Sequence, residues 1–437
     1  MDAIVKKFNV KSSKAISFLQ NYETEDWVSL FDNIYRVVWS RMLNLKLDKV
    51  FGEIEKPLTR VLVKMEKNGI CLDVKYLKTI KDKIRLLILE LEEDIYKLTS
   101  EKFNINSPKQ LSEILFEKLK LSTKGLAKTT TKKISTNSDE LEKILDSHEV
   151  IPKVLKYREL AKLENSFLDT LPKFVNKDDQ RIHTTFVQTG TATGRLSSDT
   201  PNLQNIPVKG DSGALVRKAF VASEGCYLVS FDYSQMELRI AAKLSGDQKM
   251  LTAFNEGKDF HRYTASLVNK VKYEDVTKEQ RDKAKALNFG IIYGMGSKAF
   301  SLSANISRDE AKAFIEEYFK IYSGLKSFME NLKNKAREKG YSETLSGRKR
   351  FLQFIGSVGM QAAMEERIAI NMPVQGLASD IIKQAMIKID KHLTDSNLQD
   401  QIKMILQIHD ELVFEVDEKV TQSKIFDTIK SMMEENE

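Results

Sequence analysis

Two carboxylates far apart in the chain stand where strands should end. Asp232 follows the apolar run Tyr227–Ser230, which reads as a buried strand, and precedes a helical pattern at Met236–Ala242. Its side chain is therefore free to leave the core. Asp410 lies in His409–Glu411, between the β-prone runs Leu406–Ile408 and Leu412–Phe414, which reads as a hairpin with the acids at its turn. Brought together, two such acids can hold a pair of divalent cations about 3.5–4 Å apart, the arrangement suited to in-line transfer of a nucleotidyl group. The acids come without a Cys/His cluster. That fits magnesium, which takes few protein carboxylates plus water and phosphates, and argues against zinc.

A third segment supplies cations and rings. Arg281, Lys285, Phe289 and Tyr293 recur every four residues, which stacks them along one slowly drifting helix face. They span about 18 Å at 1.5 Å per residue, near the length of a nucleoside triphosphate plus a base pair. The cations suit a triphosphate and the rings a base or sugar. An amphipathic helix with an exposed aromatic edge explains any one of these residues, but not the spacing together with the aspartates. Gly294 and Gly296 follow; they suit close approach to a flat partner such as a template base, or a helix C-cap. His261, after Asp259 and Phe260, can donate to a phosphate, though a lone histidine is more often structural. Arg367, Asn371 and Gln375 repeat the four-residue step, as base-edge readers or as a polar surface stripe.

The elements that must position these groups are legible in outline. Asn68-Gly69 marks a turn between a helix and a short strand. Leu77, Ile80, Ile84, Leu87, Leu91 and Ile95 mark a long amphipathic helix from Tyr76 to about Leu98. Ser107 and Pro108 open another. Six lysines between 118 and 133 lie among Ser, Thr and Gly, reading as a solvated mobile loop or as a tip that touches phosphates. Residues 188–207 are rich in turn formers without apolar period and need partners for their backbone. From Asp259 to about Leu393 the pattern is mostly helical, followed by a β-rich end at 402–416 and one last helix.

At 437 residues the chain has room for two or three domains. Net charge is +7, which favours a polyanionic partner without requiring one. The two cysteines, Cys71 and Cys226, are too few for a disulfide framework and point to a reducing compartment. No stretch approaches the roughly 20 apolar residues of a membrane span, and a signal-peptide pattern is lacking.

These motifs resemble a known family. Asp232–Arg239, Arg281–Gly294 and Gln407–Val413 resemble motifs A, B and C of the family A DNA polymerases, the bacterial DNA polymerase I type, and Thr193–Ser198 and Pro201–Pro207 resemble the segment ahead of motif A. The resemblance covers about residues 51–437. It implies an α+β, helix-rich right hand: palm at 51–75, 171–255 and 400–437, thumb at 76–170 and fingers at 256–399.

It further implies a template-directed DNA polymerase (a nucleotidyltransferase, EC 2.7.7.7) of DNA replication and repair. Asp232 and Asp410, helped by the Tyr233 carbonyl, would hold two Mg²⁺, with Mn²⁺ able to substitute. Arg281, Lys285 and His261 would bind the triphosphate, and Lys285 would also donate a proton to pyrophosphate. Phe289 would pack on sugar and base, with Gln235 nearby. Tyr293 and Glu237 would close off the sugar 2′ side. Arg195, Asn202, Gln204, Asn205, Gly294, Arg367, Asn371, Gln375 and His409 would meet primer-template DNA, and Glu411 would assist beside the metals. The expected partners are primer-template DNA and dNTPs, with no membrane. The expected state is a monomer in the bacterial cytoplasm, associated with the nucleoid.

Two departures from the pattern matter. Residues 1–50 are too short for a 3′–5′ exonuclease; Tyr22–Asp26 resembles that domain's last motif without its partner, so a remnant that does not proofread is expected. The family's last palm strand is missing after Glu437, so an open sheet edge near Asp410 is expected. A catalytically weak or inactive primer-template-binding module is therefore one alternative. A single-subunit RNA polymerase is the other, disfavoured by Glu237.

Overall fold

The computed structural model describes residues 27–129, 133–206, 210–420 and 422–435. Tyr22–Asp26, Lys132, Pro207 and Glu437 lie outside them. Helix α1 spans Trp27–Asn44 and helix α2 Lys56–Asn68. Pro57 occupies the first turn of α2, where its missing N–H costs nothing. Gly69 ends α2 at φ 57°, and a Cβ there would lie 2.7 Å from the Ile182 carbonyl, so only glycine fits. Strand β1, Ile70–Leu72, follows directly.

Helix α3, Val74–Thr99, is capped by Asp73, whose carboxylate accepts from the Tyr76 N–H at 2.9 Å. It packs on α4, Val150–Leu163, through buried Leu77, Ile80, Ile84, Ile88 and Ile95. Leu87, expected on that stripe, is 47% exposed instead. At roughly 100° per residue Leu87 falls about 80° off the line of Leu77, whereas Ile88 falls about 20° off it. The lysine-rich segment is less loose than expected where it is described. Lys128 bridges Ile134, and the Thr129 N–H donates to the Lys133 carbonyl at 2.7 Å.

Two small sheets matter for function. Strands β2 (Arg181–Ile182), β3 (Thr185–Val187), β4 (Ser197–Asp199) and β5 (Phe220–Val221) come next, and β2, β1 and β5 form one antiparallel sheet. Strand β6, Cys226–Asp232, leads into helix α5, Met236–Ser245. The helical stretch holds α6 (Phe260–Asn269), α7 (Lys278–Ile292), α8 (Arg308–Ile321) and α9 (Ser323–Lys339). A hairpin of β7 (Tyr341–Glu343) and β8 (Lys349–Phe351) interrupts it, and α10, Met360–Asp395, resumes it. Strands β9 (Ile402–Ile408) and β10 (Glu411–Asp417) and helix α11 (Gln422–Glu434) complete the described chain.

The second sheet has the order β6-β10-β9, all antiparallel. Among the described residues β6 is an edge and only half-buried, not the buried strand its apolar run suggests. The outer strands are β6, which ends at Asp232, and β9, which ends just before the Asp410 turn; β10, which follows Asp410, is central. The buried pair Arg181–Glu415, 3.1 Å apart, ties the first sheet to the second.

Candidate active site

The register of the second sheet decides where the two aspartates meet. Asp232, the last residue of β6, pairs with Glu411, the first of β10, and Glu411 also pairs with Ile408. His409 and Asp410 are thus the two-residue turn of the hairpin, and the Tyr233 N–H donates to the Asp410 carbonyl at 3.1 Å. Two side chains around these acids take left-handed backbone, His409 at φ 52° and Gln235 at φ 56°. Such conformations cost roughly 1–2 kcal/mol per residue outside glycine and gather at functional sites. The Tyr233 phenol is anchored on the Met433 carbonyl at 2.9 Å.

Both acids are electrically uncomfortable. Partial burial raises the Asp232 carboxyl above its usual range, and Glu411 adds to this. Burial also raises Asp410; Glu237 and Asp232 push the same way, while Arg195 and His409 pull it down. Among the described residues no group of three His, Cys, Asp or Glu is placed to hold a metal. Two adjacent carboxylates with excess negative charge are nonetheless the donor set that a magnesium ion completed by water and phosphate oxygens requires. The residues present therefore fit divalent cations held mainly by Asp232 and Asp410.

Helix α7 presents the cations and rings. Thr277 and Gln280 close a capping box at its start. Arg281 donates to the Asp259 carboxylate at 2.8 Å, and Asp259 also caps α6 by accepting from the Arg262 N–H at 3.0 Å. Among the described residues, exposed Lys285 has no ion-pair partner. His261 is 3% exposed and its Nδ1 meets the Asn288 amide at 3.1 Å. Burial lowers its pKa to about 4; Asp259 opposes this, and Arg281 and Lys285 reinforce it. The Phe289 ring centre lies 5.3 Å from that of His261.

Tyr293 is the C-cap of α7 rather than part of the helix. Gly294 at φ 70° continues a Schellman motif: its N–H donates to the Ile291 carbonyl at 2.9 Å, and the Met295 N–H to the Gly290 carbonyl at 2.8 Å. A Cβ on Gly294 would lie 2.6 Å from the Arg367 side chain, so in this structure the close neighbour is an arginine. The Tyr293 hydroxyl donates to buried Glu237 at 2.7 Å, and Arg195 pairs with the other Glu237 oxygen. Burial and the Glu237 charge push the phenol up to about 12, while Arg195 and Gln375 moderate it.

The remaining expected residues divide. Gln204 donates to the Gln407 carbonyl and side chain, each at 3.0 Å, and Gln407 reaches the His409 carbonyl. Asn202 spends its side chain on a local turn, accepting from the N–H groups of Gln204 and Asn205 at 3.1 and 3.2 Å, and Asn205 is exposed. Arg367 is exposed, while Asn371 and Gln375 are half-buried on α10. The Asn371 amide nitrogen and the Gln235 amide oxygen are buried without a hydrogen-bond partner. Buried polar atoms are normally paired, so the Gln235 oxygen, three residues after Asp232, and the Asn371 nitrogen on α10 keep hydrogen-bonding capacity.

Four residues that the motifs did not point to border the same region. Arg348, Asp380, Lys383 and Glu55 form a buried ionic cluster. Lys383 lines a cavity of about 40 Å³ together with Arg195, Gln204, His409 and Asp410. The signal available was Asp380 and Lys383 interrupting an apolar helical run, since buried charges are rare unless paired.

Comparison with known proteins gives the chain its family and its fold. Residues 74–437 match the model of DNA polymerase family A, and the chain belongs to that family. DNA polymerase I of Caldicellulosiruptor bescii is 45% identical over 387 residues, which are 86% of this chain and 44% of that protein. DNA polymerase I of Borreliella burgdorferi is 39% identical over 434 residues, 99% of this chain and 47% of that protein. The chain spans about half the length of the curated relatives it matches. A solved structure of the polymerase domain of Pol1 from M. smegmatis, in complex with DNA primer-template and dNTP, is similar at a TM-score of 0.86 and 36% identity. That match covers 91% of this chain and 70% of the other. The fold is the α+β right-handed polymerase fold expected from the motifs. No helix among the described residues is long and apolar enough to cross a membrane.

Proposed function

We propose that this chain is a template-directed DNA polymerase acting in replication or repair. The observation that carries the reading is the meeting of Asp232 and Asp410 at one sheet end, both with raised carboxyl pKa. The primer 3′-oxygen attacks the α-phosphorus of a paired dNTP, the bond to the bridging oxygen breaks, and pyrophosphate leaves. Asp232 and Asp410 would hold two divalent cations, taken as Mg²⁺ with Mn²⁺ as substitute, which when bound would lower the pKa of the primer hydroxyl and steady the leaving charge. Arg281 and Lys285 neutralise the triphosphate, and Lys285, without an ion-pair partner among the described residues, protonates the leaving pyrophosphate. His261, held neutral, donates one hydrogen bond to a phosphate. Phe289 packs on sugar and base.

Glu237, clamped between Tyr293 and Arg195, leaves an incoming 2′-hydroxyl without a favourable place and so selects dNTP over rNTP. Arg195, Arg367, Asn371, Gln375 and the loop from Asn202 to Asn205 border primer-template near the new pair. The palm is assigned to 51–75, 171–255 and 400–437, the thumb to 76–170 and the fingers to 256–399, in a monomeric, nucleoid-associated cytoplasmic protein.

A primer-extension assay supplied separately with dNTPs and rNTPs tests this. Extension with dNTPs alone, abolished by Asp232→Asn while primer-template is still bound, is the expected result. Near-normal extension by that variant would refute the assignment of the metals. Preference for rNTPs would indicate an RNA polymerase, and binding without incorporation in Mg²⁺ or Mn²⁺ a binding module.

A further inference from the structure

The buried ionic cluster does more than hold the fold. Arg348 ends the turn between β7 and β8, where the Thr344 N–H donates to its carbonyl at 2.9 Å. Its Nε donates to Asp380 Oδ1 at 2.9 Å and its Nη2 to the same oxygen at 2.6 Å, and Nη2 also reaches Glu55. Lys383 donates to Glu55 Oε1 at 2.7 Å, and Gln188 to Glu55 Oε2 at 2.8 Å. The Asp380 side chain is 0% exposed and that of Lys383 1%. Two cations and two anions balance. Burial alone would raise Glu55, but Lys383 and Arg348 outweigh it and hold the carboxyl below its usual range. Clusters of this kind are rarely the most stable way to fill a core, since apolar residues of similar volume often serve as well or better. What ions add is direction.

That direction points at Gly194. At φ 86°, Gly194 lies so close under the Arg348 guanidinium that a Cβ would stand 2.6 Å from Arg348 Nε. On its other side the Gly194 carbonyl accepts from Ser379 Oγ at 2.7 Å. The next residue is Arg195, whose carbonyl accepts from Thr191 Oγ1 at 2.7 Å and whose guanidinium holds Glu237. A chain of contacts thus runs from Asp380 and Glu55 through Arg348 and Gly194 to Arg195, and on to Glu237 and Tyr293.

We propose that Arg348, fixed by Asp380 and Glu55, is a positioning residue for nucleotide sugar selection: it presses the Gly194–Arg195 turn into the place from which Arg195 orients Glu237. This rests on the polymerase reading above. Lysine at 348 keeps the charge but loses the flat fork that both bonds Asp380 and covers Gly194.

The test measures kcat and KM for a dNTP and its matching rNTP in primer extension by parent, Arg348→Lys, Gly194→Ala and the double variant, with melting temperatures. Arg348→Lys should lower the dNTP/rNTP ratio of kcat/KM by about tenfold through a gain in rNTP use, with dNTP kcat within about twofold. Gly194→Ala disturbs the same contact from the opposite side without leaving a buried charge unpaired, and should lower the ratio similarly. The double variant should lose little more, since the two changes break one contact. An unchanged ratio in both single variants, whatever their melting temperatures, overturns the proposal and leaves the polymerase reading standing. Failure of the parent chain to incorporate any dNTP overturns both.

Discussion

Two groups of acids lie near Arg195, one around exposed Asp232 and half-buried Asp410, the other around Glu55 and Asp380, and they are treated in opposite ways. At the sheet end, Asp232 and Asp410 lie close together beside Glu411, neither ion-paired among the described residues, and both carboxyls are raised. In the second group Asp380 is fully buried and Glu55 half-buried, and each is met by a cation within hydrogen-bonding range. The second group is a closed account of charge, complete without a ligand. The first is left unbalanced by the protein, which is what the proposed pair of divalent cations requires.

That difference predicts opposite costs. Asp232→Asn removes a repelled charge, so the folded chain should keep or gain melting temperature while extension falls by at least about a thousandfold. Asp380→Asn removes a compensating charge from beneath Arg348, and should cost about 3–5 kcal/mol in denaturant unfolding, the penalty of leaving a buried ion unpaired. Equal stability losses for the two variants would erase the contrast.

Phe289→Tyr sharpens the comparison from the open side. Phe289 is half-buried against His261, and a phenol there adds a donor where the sugar of the nucleotide is expected. Incorporation of terminators lacking the 3′-hydroxyl should rise by about tenfold relative to dNTPs, with melting temperature little changed. An unaltered terminator ratio would defeat the placement of the sugar against that ring.

How much of this was legible in the sequence follows the same division. Asp232 and Asp410 were readable because each stands at a local change of pattern, from strand to helix or at a turn. Arg281, Lys285, Phe289 and Tyr293 were readable because their spacing matches a helix. The cluster at Glu55, Arg348 and Lys383 joins residues 293 and 328 positions apart, and no local period marks such a pairing. Local pattern also failed where two candidates were adjacent: Ile88, not Leu87, faces α4, since the choice rests on a helix phase accumulated over three turns. The half-burial of β6, against the buried strand its apolar run suggests, has the opposite reason. An apolar run reports that a strand is partly covered, and only sheet order reports on which side.

His261 is an intermediate case and gives the smallest test. It is buried like the closed cluster but stands near Arg281 and Lys285, so its proton is refused rather than balanced. Its folded pKa of about 4 lies below the ordinary 6.5. Between those values the unfolded chain binds a proton that the folded chain does not. Its contribution to stability is therefore complete above about pH 6.5 and lost as pH falls towards 4. Asp259 alone among the neighbouring charges favours protonation, and burial with the two cations prevails. His261→Gln removes the titration, so the stability of parent relative to variant should decline by roughly 3 kcal/mol between pH 7 and pH 4. Parallel pH profiles for the two proteins would mean that the imidazole takes up its proton in the folded state, and that the cations of α7 do not press on it.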